Sequence, residues 1–221
     1  MPAPVLQVER PRPSVALLVL SRPEKKNALS AELRSAIVDT LTDLAADEDV
    51  SVVVLTGVGG AFCAVFDLDE VMAAADPLEV FSHATTYHHV VHCFPKPLIA
   101  AVEGVAVAGG MDLALMCDLR VCATDARFGQ PQVKMGVPVA YELLASIVPT
   151  PAARELCLTG RILDAGEAAE MGLANKVVEP GTTLEVALEL ATEIADVAGA
   201  GIMKQSIVAA QPHLFDNERP M

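Results

Sequence analysis

The stretch L-I-A-A-V-E-G-V-A-V-A-G-G-M-D-L-A-L-M-C-D-L-R, residues 98–120, decides the fold of this chain. It joins an apolar run typical of a strand to an apolar helical run through Gly109 and Gly110. Glycines let a ligand approach the backbone closely, and the first N–H groups of a helix have no carbonyl partner within that helix. The pattern therefore predicts a backbone site that stabilises a carbonyl oxygen as it gains negative charge.

A second loop of the same kind lies upstream, where residues 57–70 read G-V-G-G-A-F-C-A-V-F-D-L-D-E. This loop directly follows the apolar run 52–56, which is typical of a buried strand. Two loops of this kind can supply one N–H group each to the same oxygen. Either loop alone is a weak signal, whereas the pair is more specific.

Composition indicates one globular domain, because 221 residues with 52% apolar content suffice for one large core. No apolar run has the length of a membrane span, and the run 15–20 is too short for a signal-peptide core, so we expect a cytoplasmic protein. The five cysteines lack C-x-x-C spacing, which favours buried reduced thiols over a disulfide framework or a zinc site. A net charge of −14 argues against nucleic acid and anionic membranes as partners.

Segments typical of strands and helices alternate along the chain, which favours a layered α/β architecture. The predicted strands are residues 15–20, 52–56, 98–102, 105–107 and 119–123. The predicted helices are residues 30–46 with Ser30 as N-cap, 68–75, 78–94, 110–117, 152–159, 165–171 and 184–197. Residues 216–221 are expected to form a frayed end.

Five motifs resemble those of the crotonase superfamily, the enoyl-CoA hydratase/isomerase family. They are L-S-R-P-E-K-K-N-A-L-S (20–30), F-C-A-V-F-D-L (62–68), A-G-G-M-D-L (108–113), A-R-F-G-Q-P-Q (126–132) and L-T-G-R-I-L-D-A-G-E-A-A-E-M-G-L-A-N-K-V-V (158–178). Their order and spacing make the resemblance specific. It implies an α/β fold, a crotonase-like spiral of repeated β-β-α units with a shortened helical C-terminal part. Residues 1–200 would form the core, and residues 201–221 a short remnant of the trimerisation and lid region.

The resemblance also implies a site for an acyl-CoA thioester, whose carbonyl would lie between the N–H groups of Phe66 and Gly109. Asp67 is expected mainly to fix its loop by hydrogen bonds. Coenzyme A enters as part of the substrate, and no separate cofactor or metal is expected. The residues that would surround the CoA ester are Lys25, Lys26, Ala28, Ala64, Phe66, Asp67, Leu68, Gly109 and Gly110.

The phosphates of coenzyme A need local cations in so acidic a chain. Arg22, Lys25 and Lys26 cluster just before Asn27, and Lys96 or Lys204 are further candidates. The alternative is that these are ordinary surface charges.

The catalytic positions depart from the family. Family hydratases use two glutamates where this chain carries Asp112 and Gln132. An aspartate carboxylate would lie about 1.5 Å farther from the substrate, since its side chain is one carbon shorter. An amide cannot transfer a proton at neutral pH, although it can orient water. The resemblance thus implies a hydratase-like lyase or isomerase in which Asp112 transfers protons assisted by water on Gln132, and the two replacements weaken the case for hydratase activity.

Two alternatives stay open beside hydration. One is a reaction that needs a single carboxylate, such as racemisation, decarboxylation or thioester hydrolysis; the other is a non-catalytic paralogue that binds CoA esters.

Val65 stands where the family has a glycine before the first N–H donor. It would either displace the Phe66 N–H, if the position needs a backbone angle that suits glycine, or narrow the pocket through the bulk of its side chain. Glu142 is a substitute carboxylate or, preferably, a surface residue.

Four histidines lie close together in the sequence, and His88 and His92 have the i,i+4 spacing that can bind a metal. His83 and His89 are nearby. No H-E-x-x-H motif accompanies them, so ordinary helix histidines are preferred.

The family core is expected to assemble as a homotrimer or a dimer of trimers, because its apolar helical faces would otherwise be exposed. Relatives carry closing helices beyond the segment that matches residues 202–211. With only residues 205–221 after Lys204, we expect an open acyl pocket and micromolar or weaker binding of CoA esters.

Overall fold

The computed structural model describes residues 4–74 and 85–211. Six strands form one sheet in the order β1-β2-β3-β4-β6-β9, and three form a second sheet in the order β5-β7-β8. The strands are β1 (Leu6–Arg12), β2 (Val15–Leu20), β3 (Val52–Gly57), β4 (Leu98–Val102), β5 (Val105–Val107), β6 (Leu119–Ala123), β7 (Arg127–Gly129), β8 (Ile162–Asp164) and β9 (Lys176–Val178).

The helices are α1 (Ala31–Ala46), α2 (Leu68–Ala73), α3 (Thr85–His92), α4 (Gly109–Met116), α5 (Tyr141–Ala145), α6 (Thr150–Thr159), α7 (Ala165–Glu170), α8 (Thr183–Ala195) and α9 (Ala200–Ala210). Short 3₁₀ helices span Pro23–Lys25 and Pro131–Met135. The Ser30 hydroxyl accepts a hydrogen bond of 3.2 Å from the Leu33 N–H, which confirms Ser30 as the N-cap of α1.

The large sheet is covered on both faces. Strands β2, β3, β4, β6 and β9 run parallel to one another, and only β1 pairs antiparallel, with β2. Every residue of β2 is buried, as expected for a strand with no solvent-facing side. Because side chains alternate along a strand, Ala16, Leu18 and Leu20 join the main core while Val15, Leu17 and Val19 pack toward α8.

The small sheet gives the chain its repeating unit. A strand of the large sheet is followed by a strand of the small sheet and then by a helix, as in β4, β5 and α4. Strands β6 and β7 repeat the order before the helices α5 and α6. This matches the β-β-α repeat that the sequence predicts, and it sets the ends of β5 and β7 side by side.

All five strands predicted from the sequence are confirmed, and six of the seven predicted helices coincide with described helices to within two residues at each end. The predicted helix 78–94 is described only over Thr85–His92, and the predicted frayed end 216–221 lies outside the described residues. The elements that were not predicted are β1, β7, β8, β9, α5 and α9. The domain boundary at residue 200 stays a prediction.

Two lysines that the sequence offers as further candidate cations for CoA are bonded within the protein, and their part in CoA binding stays a prediction. Lys204, the one buried residue of α9, donates a hydrogen bond of 2.6 Å to the Asp118 carboxylate. Lys96 donates bonds of 2.6 Å to the carbonyls of Leu44 and Asp47, at the end of α1. Lys204 thus neutralises a carboxylate, and Lys96 satisfies carbonyls at the C-terminal end of a helix, which are both common roles of lysine within a fold.

The five cysteines are free thiols, four of them buried and Cys93 partly exposed. This confirms the expectation of reduced cysteines for the four buried ones. No helix in the described part of the chain is long and apolar enough to cross a membrane.

Candidate active site

The ends of β5 and β7 bring two distant segments into contact. The strands are parallel, Val107 pairs with Gly129, and the Ala108 N–H donates a bond of 2.8 Å to the Gly129 carbonyl. The segments that follow the two strands therefore leave the sheet on the same side, at the carboxyl ends of the strands. The residues that follow form α4, which carries Asp112, and the 3₁₀ helix that carries Gln132.

The loop of Phe66 joins this edge through Cys63. The Cys63 N–H donates a 3.1 Å bond to the Val105 carbonyl, and the Cys63 carbonyl accepts a 3.3 Å bond from the Val107 N–H. Phe66 itself pairs with Leu29 in an isolated parallel β-bridge outside the named strands. The structure thus brings together the two loops that the sequence predicts to face one thioester carbonyl.

Gly109 and Gly110 are required by close packing. A Cβ on Gly110 would lie 2.0 Å from the Cys63 carbonyl oxygen, and a Cβ on Gly109 would lie 2.7 Å from the Phe66 ring. Neither distance is possible for a real side chain, so only glycine permits α4 to begin against the Phe66 loop. The part of both glycines in substrate binding stays a prediction.

Ala108 precedes α4 in a strained conformation, with φ 51° and ψ −125°. This region suits glycine, and a side chain there costs about 1–3 kcal/mol. The strained turn points the chain from β5 into α4. The first N–H groups of α4 consequently lie at the edge of the sheet, beside the Phe66 loop.

Relief of this strain gives a first prediction. We expect Ala108→Gly to raise the free energy of unfolding by about 1 kcal/mol, since the strain exceeds the entropic cost of the glycine. Denaturant unfolding measures the difference. The matched control is Ala114→Gly within α4, where glycine should lower stability by about 1 kcal/mol or more. Equal destabilisation by both variants would show that Ala108 is unstrained.

Val65 adopts an ordinary backbone conformation, and its carbonyl accepts a bond of 3.1 Å from the Leu29 N–H. The valine therefore needs no backbone angle that only glycine adopts, and its effect on the site comes from its half-buried side chain. In the described ranges, the non-glycine residues with positive φ are Ser14, Lys26, Asn27 and Ala108.

Asp67 fixes the Phe66 loop, as predicted. Its carboxylate accepts a 3.0 Å bond from the Asp69 N–H at the start of α2 and pairs with Arg22 at 2.6 Å. Arg22 also donates to the Ala28 carbonyl at 2.5 Å. The Arg22 guanidinium is therefore engaged within the loop, and its part in binding CoA phosphates stays a prediction.

The other predicted CoA contacts lie together beside that loop. The Ala64 N–H donates a 2.9 Å bond to the Lys26 carbonyl, and the Ala28 N–H donates a 3.1 Å bond to the Lys25 carbonyl. Both lysine side chains are exposed, and Lys25 pairs with Asp69 at 2.5 Å. Leu68 is the first residue of α2. Recognition of the nucleotide by these residues stays a prediction.

Asp112 is buried and titrates near neutrality. Burial raises its pKa to about 7, and a hydrogen bond from Gln130 opposes the shift. The Gln130 Nε2 donates this bond to Oδ1 over 2.7 Å. A carboxyl group that is partly protonated at neutral pH can both give and take a proton, which suits an acid/base catalyst.

Gln132 continues the same chain of hydrogen bonds. Its Nε2 donates to the Gln130 Oε1 over 2.6 Å, and its own Oε1 is buried without a hydrogen-bond partner. In the part of the chain that is described, the Tyr87 hydroxyl on α3 is likewise buried without a partner. An unsatisfied buried polar atom costs about 1–3 kcal/mol, so both atoms indicate a polar ligand or water.

The residue pattern pointed to Asp112 and Gln132 but not to Gln130 or Tyr87. Gln130 lies two residues before Gln132 within A-R-F-G-Q-P-Q, and that position was the available signal. No signal in the sequence pointed to Tyr87, because it comes within electrostatic range of Asp112 through the packing of α3 against α4.

The raised pKa of Asp112 gives a second prediction, on stability. The folded state holds this proton up to pH about 7, whereas the ordinary pKa of an aspartate side chain is 3.8. The stabilising contribution of the neutral carboxyl is therefore complete below pH about 4 and is lost as pH rises to about 7. We expect the stability of Asp112→Asn relative to the original protein to rise over this window, by as much as about 4 kcal/mol.

Denaturant unfolding at a series of pH values measures this difference, with Asp125→Asn at an exposed position as control. A relative stability of Asp112→Asn that is constant from pH 4 to 8 would contradict the raised pKa.

Other candidate groups lie outside this arrangement. Glu142 is exposed on α5. Burial lowers the pKa of His88 to about 4. Over residues 4–74 and 85–211, no group of three or more His, Cys, Asp or Glu side chains is placed to hold a metal ion. His83 lies outside the described residues.

A cavity of about 340 Å³ opens between the ends of α1, α8 and α9. It is lined by apolar residues such as Val50 and Ile194 together with Lys96, and by no carboxylate. Without an acid/base group it does not compete with Asp112 as the reactive site.

Comparison with known proteins agrees with this geometry. The family model for enoyl-CoA hydratase/isomerase matches residues 10–212. A putative enoyl-CoA hydratase of Thermus thermophilus is 40% identical over 216 residues, which are 94% of this chain and 85% of that protein. A short-chain-enoyl-CoA hydratase of Clostridium acetobutylicum is 33% identical over 202 residues, covering 87% of this chain and 77% of that protein. The crystal structure of an enoyl-CoA hydratase from Mycobacterium marinum, 37% identical, superimposes with a TM-score of 0.84 over 94% of this chain and 82% of that chain.

Proposed function

The chain belongs to the enoyl-CoA hydratase/isomerase family, and we propose that it acts on an acyl-CoA thioester through an oxyanion hole and an enolate-type intermediate. One observation carries the proposal. A buried carboxyl group with a pKa near neutrality, Asp112, lies in the first turn of the helix that begins at Gly109.

In the proposed complex, the thioester carbonyl accepts hydrogen bonds from the N–H groups of Phe66 and Gly109. Withdrawal of electron density toward this oxygen acidifies the α-carbon and stabilises the enolate. The close contact of Gly110 with Cys63 supports this arrangement, because it sets the two donor loops at a fixed separation.

Asp112 is proposed to move the protons. In hydration, water bound at Gln132 gives its oxygen to C3 and one proton to the carboxylate, and the carboxyl group returns a proton to C2. The catalyst ends as it began. The unsatisfied Oε1 of Gln132 supports this role, since it is an acceptor that a bound water can occupy.

A reaction with a single carboxylate is the second candidate, and the state of Gln132 favours it. The Gln132 amide is held by Gln130 and cannot act as a base, which leaves Asp112 of this pair to exchange protons. Racemisation, decarboxylation and thioester hydrolysis belong to this class.

The test is hydration of crotonyl-CoA, assayed beside acyl-CoA binding. Hydration supports the first candidate. Binding with exchange of the α-proton but without hydration selects the second, and binding alone indicates a non-catalytic paralogue. If no CoA thioester binds, the proposal is wrong in all three forms.

We further propose a homotrimer or a dimer of trimers. Apolar side chains on α9 support association, because Ile202 is 73% exposed and Met203 is 59% exposed. Sedimentation at micromolar concentration should show a trimer or hexamer, and a monomer would contradict the proposal.

A further inference from the structure

Three buried side chains at the candidate site form a chain of hydrogen bonds with a direction. Gln130 donates to Asp112 at 2.7 Å, and Gln132 donates to Gln130 at 2.6 Å. Gln130 is fully buried, and the other two are less than one-tenth exposed. These hydrogen bonds end at the Oε1 of Gln132, which has no hydrogen-bond partner among the described residues.

The ionisation of Asp112 decides this direction. A carboxylate only accepts, so it requires the Nε2 of Gln130, and the Oε1 of Gln130 then requires the Nε2 of Gln132. The free end is consequently an oxygen. A protonated Asp112 can instead donate to the Oε1 of Gln130, and both amides then reverse, which leaves the Nε2 of Gln132 as the free end.

We propose that Gln130 is a positioning residue that links the charge on Asp112 to the group that Gln132 presents. With Asp112 ionised, Gln132 offers an acceptor and favours acyl chains that carry a hydroxyl group near C3. With Asp112 protonated, Gln132 offers an N–H donor, which favours acyl chains whose oxygen near C3 only accepts, such as a ketone. The choice of acyl-CoA ligands rests on the proposed function, whereas the link between Gln130 and Asp112 does not.

Asp112 is the member of this chain that can change charge, since the two glutamine amides do not titrate. Strand β5 brings no titratable side chain to it, since its residues are valine and alanine. Tyr87 on α3 and Cys157 on α6 both sense the Asp112 charge, but burial raises the pKa of Tyr87 and raises that of Cys157 to about 11. Helix α3 also carries His88, His89 and His92, and α5 carries Glu142, which is exposed.

The first test needs no substrate. Protein labelled with ¹³C at the aspartate carboxyl carbons is titrated by NMR, and Asp112→Asn assigns the signal. We expect Gln130→Met to raise the pKa of Asp112, because the ionised form loses a donor while methionine fills a similar volume. The control is Gln7→Met on β1, which removes an amide that donates to the Ser21 hydroxyl, and it should leave the titration unchanged. An unchanged titration in Gln130→Met overturns the proposal.

The second test measures what Gln132 presents. The probes are S-(3-oxobutyl)-CoA, whose oxygen at C3 only accepts, and each enantiomer of S-(3-hydroxybutyl)-CoA, whose hydroxyl can donate. All lack the thioester carbonyl that the proposed reaction needs. In the original protein the ratio of affinities, hydroxyl compound over keto compound, should be about fivefold greater at pH 8.5 than at pH 5.5, the effect of one hydrogen bond. Gln130→Met should remove this pH dependence.

Gln132→Met separates the two steps and serves if Gln130→Met does not fold. It should lose the preference for the hydroxyl compound while the titration of Asp112 is retained. Preference retained in Gln132→Met overturns the proposal. If the original protein binds neither probe nor any acyl-CoA, the proposed function fails, and the NMR titration still decides the link between Gln130 and Asp112.

Discussion

Replacement of Asp112 by asparagine is expected to lower turnover of an acyl-CoA substrate by about 10³-fold or more, within the range of a positioned acid/base group. Asparagine keeps the shape of the side chain and an oxygen that accepts from Gln130, so the binding site should persist. It cannot exchange a proton at neutral pH. Affinity for an acyl-CoA should therefore be nearly unchanged, and kcat rather than KM should carry the loss.

The control for this prediction is Glu142→Gln, which removes an exposed carboxylate from the neighbouring helix α5. It should leave turnover intact. An active Asp112→Asn protein would show that the acid/base group lies elsewhere, and loss of activity in Glu142→Gln would then identify the substitute carboxylate.

Gln132→Glu is expected to raise the rate of crotonyl-CoA hydration by about 10²-fold or more. The change adds a second group that transfers protons at the place where the amide only orients water. The new carboxyl faces the Oε1 of Gln130, an acceptor, so its protonated form is favoured and its pKa should be raised toward neutrality.

Gln132→Met is the matched control, because it changes the same position without adding a proton-transfer group, and it should give no gain. If Gln132→Glu also gives no gain, the pocket rather than the missing carboxyl limits hydration. The half-buried side chain of Val65 is then the obstacle to test by substitution.

Apolar strands could be predicted from the sequence, whereas short strands that include a charged residue could not. The apolar runs of β2, β3 and β4 are buried on both faces and hence carry a strong signal. Strand β5 has only three residues but is wholly apolar, and it was predicted. Strands β7, β8 and β9 are equally short, and each includes a charged residue, which hides the signal. Strand β1 carries charged residues and a proline, as edge strands do, and so it does not read as a strand.

The candidate site divides in the same way. Gly109, Gly110 and Asp112 follow from the strand, turn and helix pattern of one continuous stretch. The bond between Gln130 and Asp112 depends on the pairing of β5 with β7, which links residues 18 positions apart. The strain at Ala108 and the unsatisfied oxygen of Gln132 are likewise properties of packing, which local pattern does not encode.

The central claim is that a bound acyl-CoA exchanges its α-proton through Asp112. The most direct measurement is ¹H NMR of butyryl-CoA in D₂O with the purified protein, following deuterium incorporation at C2, beside Asp112→Asn at the same saturation. We predict exchange with the original protein and none above background with Asp112→Asn. Saturating binding without exchange by the original protein, or equal exchange by Asp112→Asn, would contradict the claim.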